Sequence, residues 1–228
     1  MTGVSRVVSF GCSMTFGQEL PDCDPTTGSP TSYAGIIASK FDLPYVCLAA
    51  PGAGNDKIFR TVMEFARTNM NDDDFIIIGW SMLHRREYYS QPHHSYMSMV
   101  PSATVADYDC WYGKLVNNEW NSDALNHYQW FLANTPEDVM FNDYINLAVA
   151  LAGYLRSRGI KFIMLQALWE IQDYQSLITE LINMPEYYSD ISFISKMFLD
   201  NIHLYPCNHP KPLGHQIWAD IILKWMNT

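Results

Sequence analysis

An apolar run that stops abruptly at a glycine constrains this chain more than any other stretch. The run at residues 7–10 breaks into the segment Gly11-Cys12-Ser13-Met14-Thr15-Phe16-Gly17. Such a run is typical of a buried strand that ends in a tight turn. In a parallel α/β sheet, ligands bind at the carboxyl ends of the strands. Ser13 is therefore predicted to expose its hydroxyl and N–H at a ligand-binding edge, although the stretch alone also fits an ordinary strand and turn.

The same alternation of strand and helix continues along the chain. Further strands are predicted at residues 45–48, 75–79 and 161–165, and the main helices at residues 32–41, 55–68, 138–158 and 213–225. Ser32 is the predicted N-cap of the first of these helices, and Gly159 closes the helix before the last predicted strand. Strands that alternate with helices predict a parallel sheet with right-handed crossovers and helices on both faces.

Residues 84–137 fit no such alternation and are rich in Tyr and Trp. We interpret them as an insertion that caps the site, helical around residues 124–133, within a single domain that spans residues 1–228. The loop at residues 18–31 is predicted to form a rim over the same site. Because Trp and Tyr stack on sugar rings, the insertion favours a substrate such as an acylated sugar. A small core of its own is the alternative explanation for these aromatic residues.

The charge balance restricts the class of partner. A formal net charge of −10 argues against a nucleic acid or an anionic membrane, both of which require clustered Lys and Arg. No apolar run approaches the roughly 20 residues of a membrane span, and the N-terminus has no signal-peptide pattern, so a cytoplasmic location is predicted. A small or neutral substrate is expected instead. The aromatic content permits a homodimer without requiring one.

Cysteine and histidine provide the alternatives to a serine nucleophile. The five cysteines are odd in number and form no C-x-x-C pair, which favours free thiols over disulfides or structural zinc. Cys12 is an alternative nucleophile, although a turn residue of this kind more often packs inward. A metal-dependent hydrolase is a second alternative, but adjacent loop histidines are usually solvated. Its ligands would come from His84, His93, His94 or His127.

The loop before the last helix completes a recognisable pattern. It contains His209-Pro210-Lys211-Pro212-Leu213-Gly214. Together with the first glycine turn, this loop resembles the SGNH/GDSL hydrolase superfamily, whose members are esterases with a three-layer α/β/α fold and a flavodoxin-like parallel sheet. The resemblance implies that Ser13, in a Gly-Cys-Ser-x-Thr-x-Gly variant of the first motif, is the nucleophile and that His209 is the general base. Ester hydrolysis of this type needs no metal or organic cofactor.

The resemblance also implies an oxyanion hole made by the N–H groups of Ser13 and Gly52. In the third motif the family has an asparagine where this chain has Ser81. A hydroxyl can still donate one hydrogen bond, and Arg85 is an alternative donor. Three residues beside these turns are predicted to contact substrate: Trp80, Arg85 and Asn55.

The carboxylate that orients the base is the least regular part of the pattern. The family has Asp three residues before the histidine, where this chain has Pro206. Asp200 is the nearest upstream carboxylate and is the predicted substitute. Asp200 and His203 also form a literal Asp-x-x-His pair, so His203 is an alternative base, whereas His215 is predicted to be a helix-start residue. A protein that keeps the pocket but only binds a carbohydrate or protein partner is the alternative function.

Overall fold

The computed structural model describes residues 3–90, 95–99, 126–127, 129–168, 181, 183–188, 190–200, 204–205 and 209–227. Its strands are β1 (Arg6–Gly11), β2 (Tyr45–Cys47), β3 (Asp74–Trp80), β4 (Arg86–Ser90), β5 (Ser95–Met99), β6 (Lys161–Gln166) and β7 (Tyr187–Tyr188). Its helices are α1 (Ser13–Phe16), α2 (Tyr33–Lys40), α3 (Asn55–Thr68), α4 (Glu137–Ser157), α5 (Phe193–Leu199) and α6 (Pro212–Met226). Residues 126–127 and 129–134 are also helical, as predicted. Among the described residues, no helix combines the length and the apolar character that crossing a membrane requires.

The described part of the chain contains a parallel sheet in the order β2-β1-β3-β6-β7. Helices α2 and α6 pack together on one face, and α3 packs against α4 on the other. The predicted three-layer, flavodoxin-like fold class is therefore confirmed. The direction of winding reverses at β1, so the loops after β1 and β3 leave toward opposite faces and open a crevice between them.

The core lies on both faces of the two central strands. β3 is buried along its whole length, and full burial of each of its three isoleucines, residues 76–78, contributes about 2 kcal/mol. On one face Phe10 packs against Phe65 of α3, with ring centroids 5.6 Å apart. On the other face Phe193 stacks on Trp218 at 5.4 Å. Strands buried on both faces have continuous apolar sequences, which is why they could be recognised from the sequence.

Two features were not predicted. β7 is only two residues long, too short to show any periodicity. The antiparallel hairpin β4–β5 lies inside the insertion and is joined to α3 by Arg60, whose Nε and Nη2 donate to the Glu87 carboxylate at 3.0 and 2.8 Å. That the insertion caps the site stays a prediction, because most of residues 84–137 fall outside the described residues.

An ion pair between a buried carboxylate and a partly exposed guanidinium joins the amino-terminal ends of the central strands. The fully buried Asp74 carboxylate accepts hydrogen bonds from Arg6 Nε at 2.6 Å, Arg6 Nη2 at 2.9 Å and the Asn71 N–H at 2.9 Å. Asp74→Ala removes the carboxylate that accepts these three hydrogen bonds and leaves the Asn71 N–H without its acceptor, so it is expected to lower the free energy of unfolding by about 2 kcal/mol in urea denaturation. The exposed neighbour Asp73 offers the control, and Asp73→Ala should change stability by no more than about 0.5 kcal/mol. Equal losses in the two variants would contradict this account.

Candidate active site

Ser13 lies where β1 ends and α1 begins. It is 3% exposed and is the first residue of α1. The first N–H groups of a helix have no intrahelical acceptor, so the Ser13 N–H is available as a donor. The Ser13 hydroxyl makes no hydrogen bond to any residue that the structure describes. Ser13 therefore places an uncommitted hydroxyl and an uncommitted N–H at the carboxyl edge of the sheet.

Two glycines explain the rest of the first motif. Gly11 of β1 pairs with Gly79 of β3, and a Cβ on either residue would lie within 2.3 Å of Thr15 Oγ1. The Thr15 hydroxyl in turn is hydrogen-bonded to the Tyr33 hydroxyl at 2.9 Å. The side chain of Thr15 thus rests on the two central strands, which fixes the position of the turn that carries Ser13.

A second turn follows β2 and lies beside the first. The Ala50 N–H donates to the Gly11 carbonyl at 2.9 Å, and the Ala53 N–H donates to the Ala50 carbonyl at 3.1 Å. Gly52 has φ of 73°, as the third position of a type II turn requires, and Pro51 suits the second position. Within the described part of the chain the Gly52 N–H has no acceptor, so it is available to a ligand.

Ser81 follows β3 and is joined to the start of α3. Its N–H donates to Asn55 Oδ1 at 2.8 Å, and its hydroxyl lies 3.4 Å from Arg85 Nη1. A Cβ on Gly54 would lie 2.4 Å from the Arg85 carbonyl oxygen, so the loop after β3 packs closely on α3. The Asn55 amide nitrogen donates to none of the described residues. Asn55, Ser81 and Arg85 therefore place further donors at this edge of the sheet.

His209 lies in the loop that precedes α6. The Tyr205 N–H donates to the His209 carbonyl at 2.9 Å, which closes a short turn around the histidine. The His209 side chain is 12% exposed, and its Nδ1 lies 3.9 Å from Glu19 Oε2. Burial lowers the pKa of His209, Glu19 opposes this shift, and Arg85 reinforces it. The imidazole is therefore largely neutral at neutral pH.

The carboxylate beside His209 differs from the predicted one. Asp200, at the end of α5, pairs with Lys196 Nζ at 2.9 Å on its own helix. Glu19 takes the place beside the imidazole, and sequence reasoning missed it because no motif links two residues near opposite ends of the chain. The alternative base His203, and Pro206, lie outside the described residues.

Three side chains near the motifs belong to the core. Trp80 is fully enclosed and packs edge-on against Tyr144 at 5.6 Å, so the predicted substrate contact by its ring is not available in this structure. Cys12 is also fully enclosed, unlike an accessible nucleophile. His215 Nδ1 accepts a hydrogen bond from the Tyr33 N–H at 3.1 Å, and burial lowers the pKa of His215 to about 3. A neutral His215 thus holds α6 against α2.

The histidines of the alternative metal site are only partly described. His93 and His94 lie outside the described residues, whereas His84 and His127 lie within them. In the described part of the chain, no three His, Cys, Asp or Glu side chains are grouped closely enough to hold a metal ion. The metal-dependent hydrolase stays a hypothesis without structural support.

Solved structures share this arrangement of strands and helices. A catalytic mutant of Axe2, an acetylxylan esterase from Geobacillus stearothermophilus, superposes with a TM-score of 0.54 at 13% identity, over 98% of this chain and 94% of that one. The psychrotrophic esterase EstA from Pseudoalteromonas sp. gives a TM-score of 0.54 at 9% identity, over 98% and 100%. A protein assigned to the lipolytic G-D-S-L family, from Desulfitobacterium hafniense, gives 0.52 at 11%, over 97% and 99%. The fold is that of the SGNH/GDSL hydrolases.

At these identities the likeness concerns the SGNH fold alone. No family model matches the sequence, and no curated protein matches it either. Function must therefore be argued from the residues at the site. In this SGNH fold those residues lie on the loops after β1, β2 and β3 and on the loop before α6.

Proposed function

We propose that this protein is a serine esterase that works through an acyl-enzyme intermediate. One observation carries the proposal: the loops around the β1 carboxyl end hold an uncommitted hydroxyl, two uncommitted N–H donors and a buried neutral imidazole. These groups belong to Ser13, Gly52 and His209. Together they are the parts that nucleophilic acyl transfer needs, a nucleophile, a base and an electrostatic site for the oxyanion.

The reaction divides into two displacements. Ser13 Oγ attacks the ester carbonyl carbon as His209 Nε2 takes the hydroxyl proton, and the N–H groups of Ser13 and Gly52 bind the oxyanion. The bond to the alcohol then breaks, and the alcohol leaves with the proton from His209. Water attacks the acyl-enzyme with His209 again as base, which releases the carboxylic acid and restores Ser13. Ser81 and Arg85 supply the further donors at the oxyanion.

We infer that the substrate is a carbohydrate ester. An acetylxylan esterase shares the fold, and the described part of the insertion exposes aromatic rings on which a sugar can stack. Tyr89, Tyr96 and Trp130 are 42%, 52% and 62% exposed. The donors of Asn55 and Arg85 suit sugar hydroxyls or the ester carbonyl.

Two observations favour a second candidate function, a protein that binds carbohydrate without hydrolysing it. Ser81 stands in place of the family's asparagine, and one oxyanion donor of this kind is worth about 3 kcal/mol of transition-state stabilisation. In addition, the Ser13 hydroxyl makes no hydrogen bond to His209 in this structure. Catalytic hydrogen bonds often form only with substrate bound, so the esterase remains our proposal.

Active-site labelling tests the esterase directly. A fluorophosphonate should phosphonylate the wild-type protein at Ser13, mapped by mass spectrometry of the tryptic peptide, and excess p-nitrophenyl acetate should slow the labelling. The protein should also hydrolyse p-nitrophenyl acetate and acetylated xylo-oligosaccharides. The proposal would be overturned if no adduct formed and if the rate of hydrolysis did not exceed the rate in buffer alone. Binding of xylo-oligosaccharides in calorimetry would then support the non-catalytic alternative.

A further inference from the structure

The Glu19 carboxylate approaches a particular nitrogen of His209. Oε2 of Glu19 lies 3.9 Å from Nδ1, which is ion-pair range and somewhat longer than a hydrogen bond. In a serine hydrolase the carboxylate bonds Nδ1–H, so that Nε2 can accept the proton of the nucleophile. The nitrogen that Glu19 approaches is therefore Nδ1, whereas the proposed mechanism uses Nε2 to take the proton of Ser13. Lengthened contacts of this kind often tighten once substrate is bound.

The backbone directs Glu19 toward the imidazole. Glu19 has φ of 71°, a left-handed conformation that non-glycine residues rarely adopt. It lies between Gln18 and Leu20, both buried, whose N–H groups donate to the Ser13 carbonyl at 3.0 Å and the Gly17 carbonyl at 3.1 Å. The nucleophile turn itself thus holds Glu19 in place. Non-glycine residues in the left-handed conformation are strained, and such strained residues cluster at functional sites.

Several ionisable groups lie near His209 in the described part of the chain. Glu19 and Arg85 both act electrostatically on the imidazole, and the neutral His215 is close enough to interact with it. Asp22 of the same loop is already used, since it accepts hydrogen bonds from the hydroxyls of Ser29 at 2.6 Å and Thr31 at 2.8 Å. Asp200 is paired with Lys196. Among these described acids, Glu19 is the one placed beside the imidazole.

We propose that Glu19 is the carboxylate that orients His209, supplied by the loop after the nucleophile instead of by the residue three positions before the histidine. The inference rests on the proposed esterase function. Glu19 acts through His209 and is therefore a positioning residue: it holds the Nδ1–H tautomer and stabilises the imidazolium that forms when Ser13 loses its proton. The rim loop at residues 18–31 is thereby part of the catalytic apparatus.

Three variants at residue 19 test this role. With p-nitrophenyl acetate, Glu19→Gln should lower kcat by about 10²-fold or more with little change in KM, because the imidazole loses its orientation. Glu19→Asp, which keeps the charge, should recover part of that loss. Glu19→Gly removes the carboxylate but relieves the left-handed backbone, so it should lower kcat while Tm stays equal or rises. A purely structural role predicts instead that activity and Tm fall together.

A second readout does not depend on turnover. Because Glu19 raises the pKa of His209, Glu19→Gln should move the NMR titration of that imidazole to lower pH. The signal is assigned by its absence in His209→Ala among the seven histidines. Asp42→Asn is the control: Asp42 is an exposed acid with φ of 54° at the opposite edge of the sheet, and its loss should change neither kcat nor the titration.

The outcomes separate the inference from the proposed function. Wild-type kcat and an unshifted His209 titration in Glu19→Gln, with Ser13→Ala inactive, would overturn the role of Glu19 and leave the esterase standing. An inactive, unlabelled wild type would overturn the esterase and, with it, the catalytic role of Glu19. A fall in kcat together with a downward shift of the titration supports the inference.

Discussion

Ser13→Ala is expected to lower kcat for p-nitrophenyl acetate by about 10³-fold or more and to abolish fluorophosphonate labelling. The reason is that the substitution removes the nucleophile while leaving the N–H donors of Ser13 and Gly52 in place. Substrate binding should change little, so KM should stay within a few-fold. The residual rate would measure how far the oxyanion donors accelerate direct attack of water on the ester.

Cys12→Ala is the matched control for Ser13. Cys12 is the preceding residue, and its enclosed thiol makes it unsuited to attack a substrate. Cys12→Ala should therefore retain the wild-type rate and labelling at temperatures well below its Tm. Loss of activity in Cys12→Ala with activity retained in Ser13→Ala would instead assign the nucleophile to the thiol. Circular dichroism of both variants excludes unfolding as the cause.

His209→Ala should lower kcat by a comparable factor, about 10³-fold or more, because the Ser13 hydroxyl then has no base.

The pH profile of the wild-type enzyme tests the same assignment of His209 as the base. A general base works only when neutral, and burial holds the pKa of His209 below the ordinary 6.5. The acid limb of kcat/KM should therefore have its midpoint below pH 6.5, and activity should be fully present above it.

His203→Ala distinguishes the two candidate bases. If His209 is the base, His203→Ala keeps the wild-type rate and acid limb while His209→Ala loses both. The opposite pattern would assign the base to His203 of the literal Asp-x-x-His pair. A midpoint above pH 6.5 in the wild type would contradict the effect of burial on His209.

Several parts of the fold follow from local sequence alone. The apolar run that becomes β3 is buried on both sides. Helix α3 follows the second glycine turn and ends at Thr68, as predicted, because its apolar residues recur at helical spacing. Ser32 caps α2 as predicted, with its hydroxyl accepting the Gly35 N–H at 3.4 Å. The predicted turns at Ser13 and Gly52 also end strands at one sheet edge. These features depend on neighbours a few residues apart, which is the range over which sequence patterns carry information.

The Gly-Cys-Ser-x-Thr motif also depends on a contact with a distant strand, which a local sequence pattern cannot show. Its serine could be selected from the sequence, but the reason for its threonine could not. Thr15 rests on Gly11 and on Gly79, and the second glycine belongs to another strand. The burial of Trp80 was missed for a similar reason, since alternation along β3 does not show that α4 covers its ring with Tyr144.

What the sequence alone determined is four strands of the sheet, the main helices, and the turns that carry Ser13 and Gly52, because strand and helix periodicity is local. Only the tertiary structure decided which acid lies beside His209. Glu19 reaches the imidazole because its φ is 71° and because the loop before α6 returns to the β1 edge of the sheet. A backbone angle and a contact between distant segments leave no periodic signal, so sequence spacing favoured Asp200 while packing placed Glu19 there.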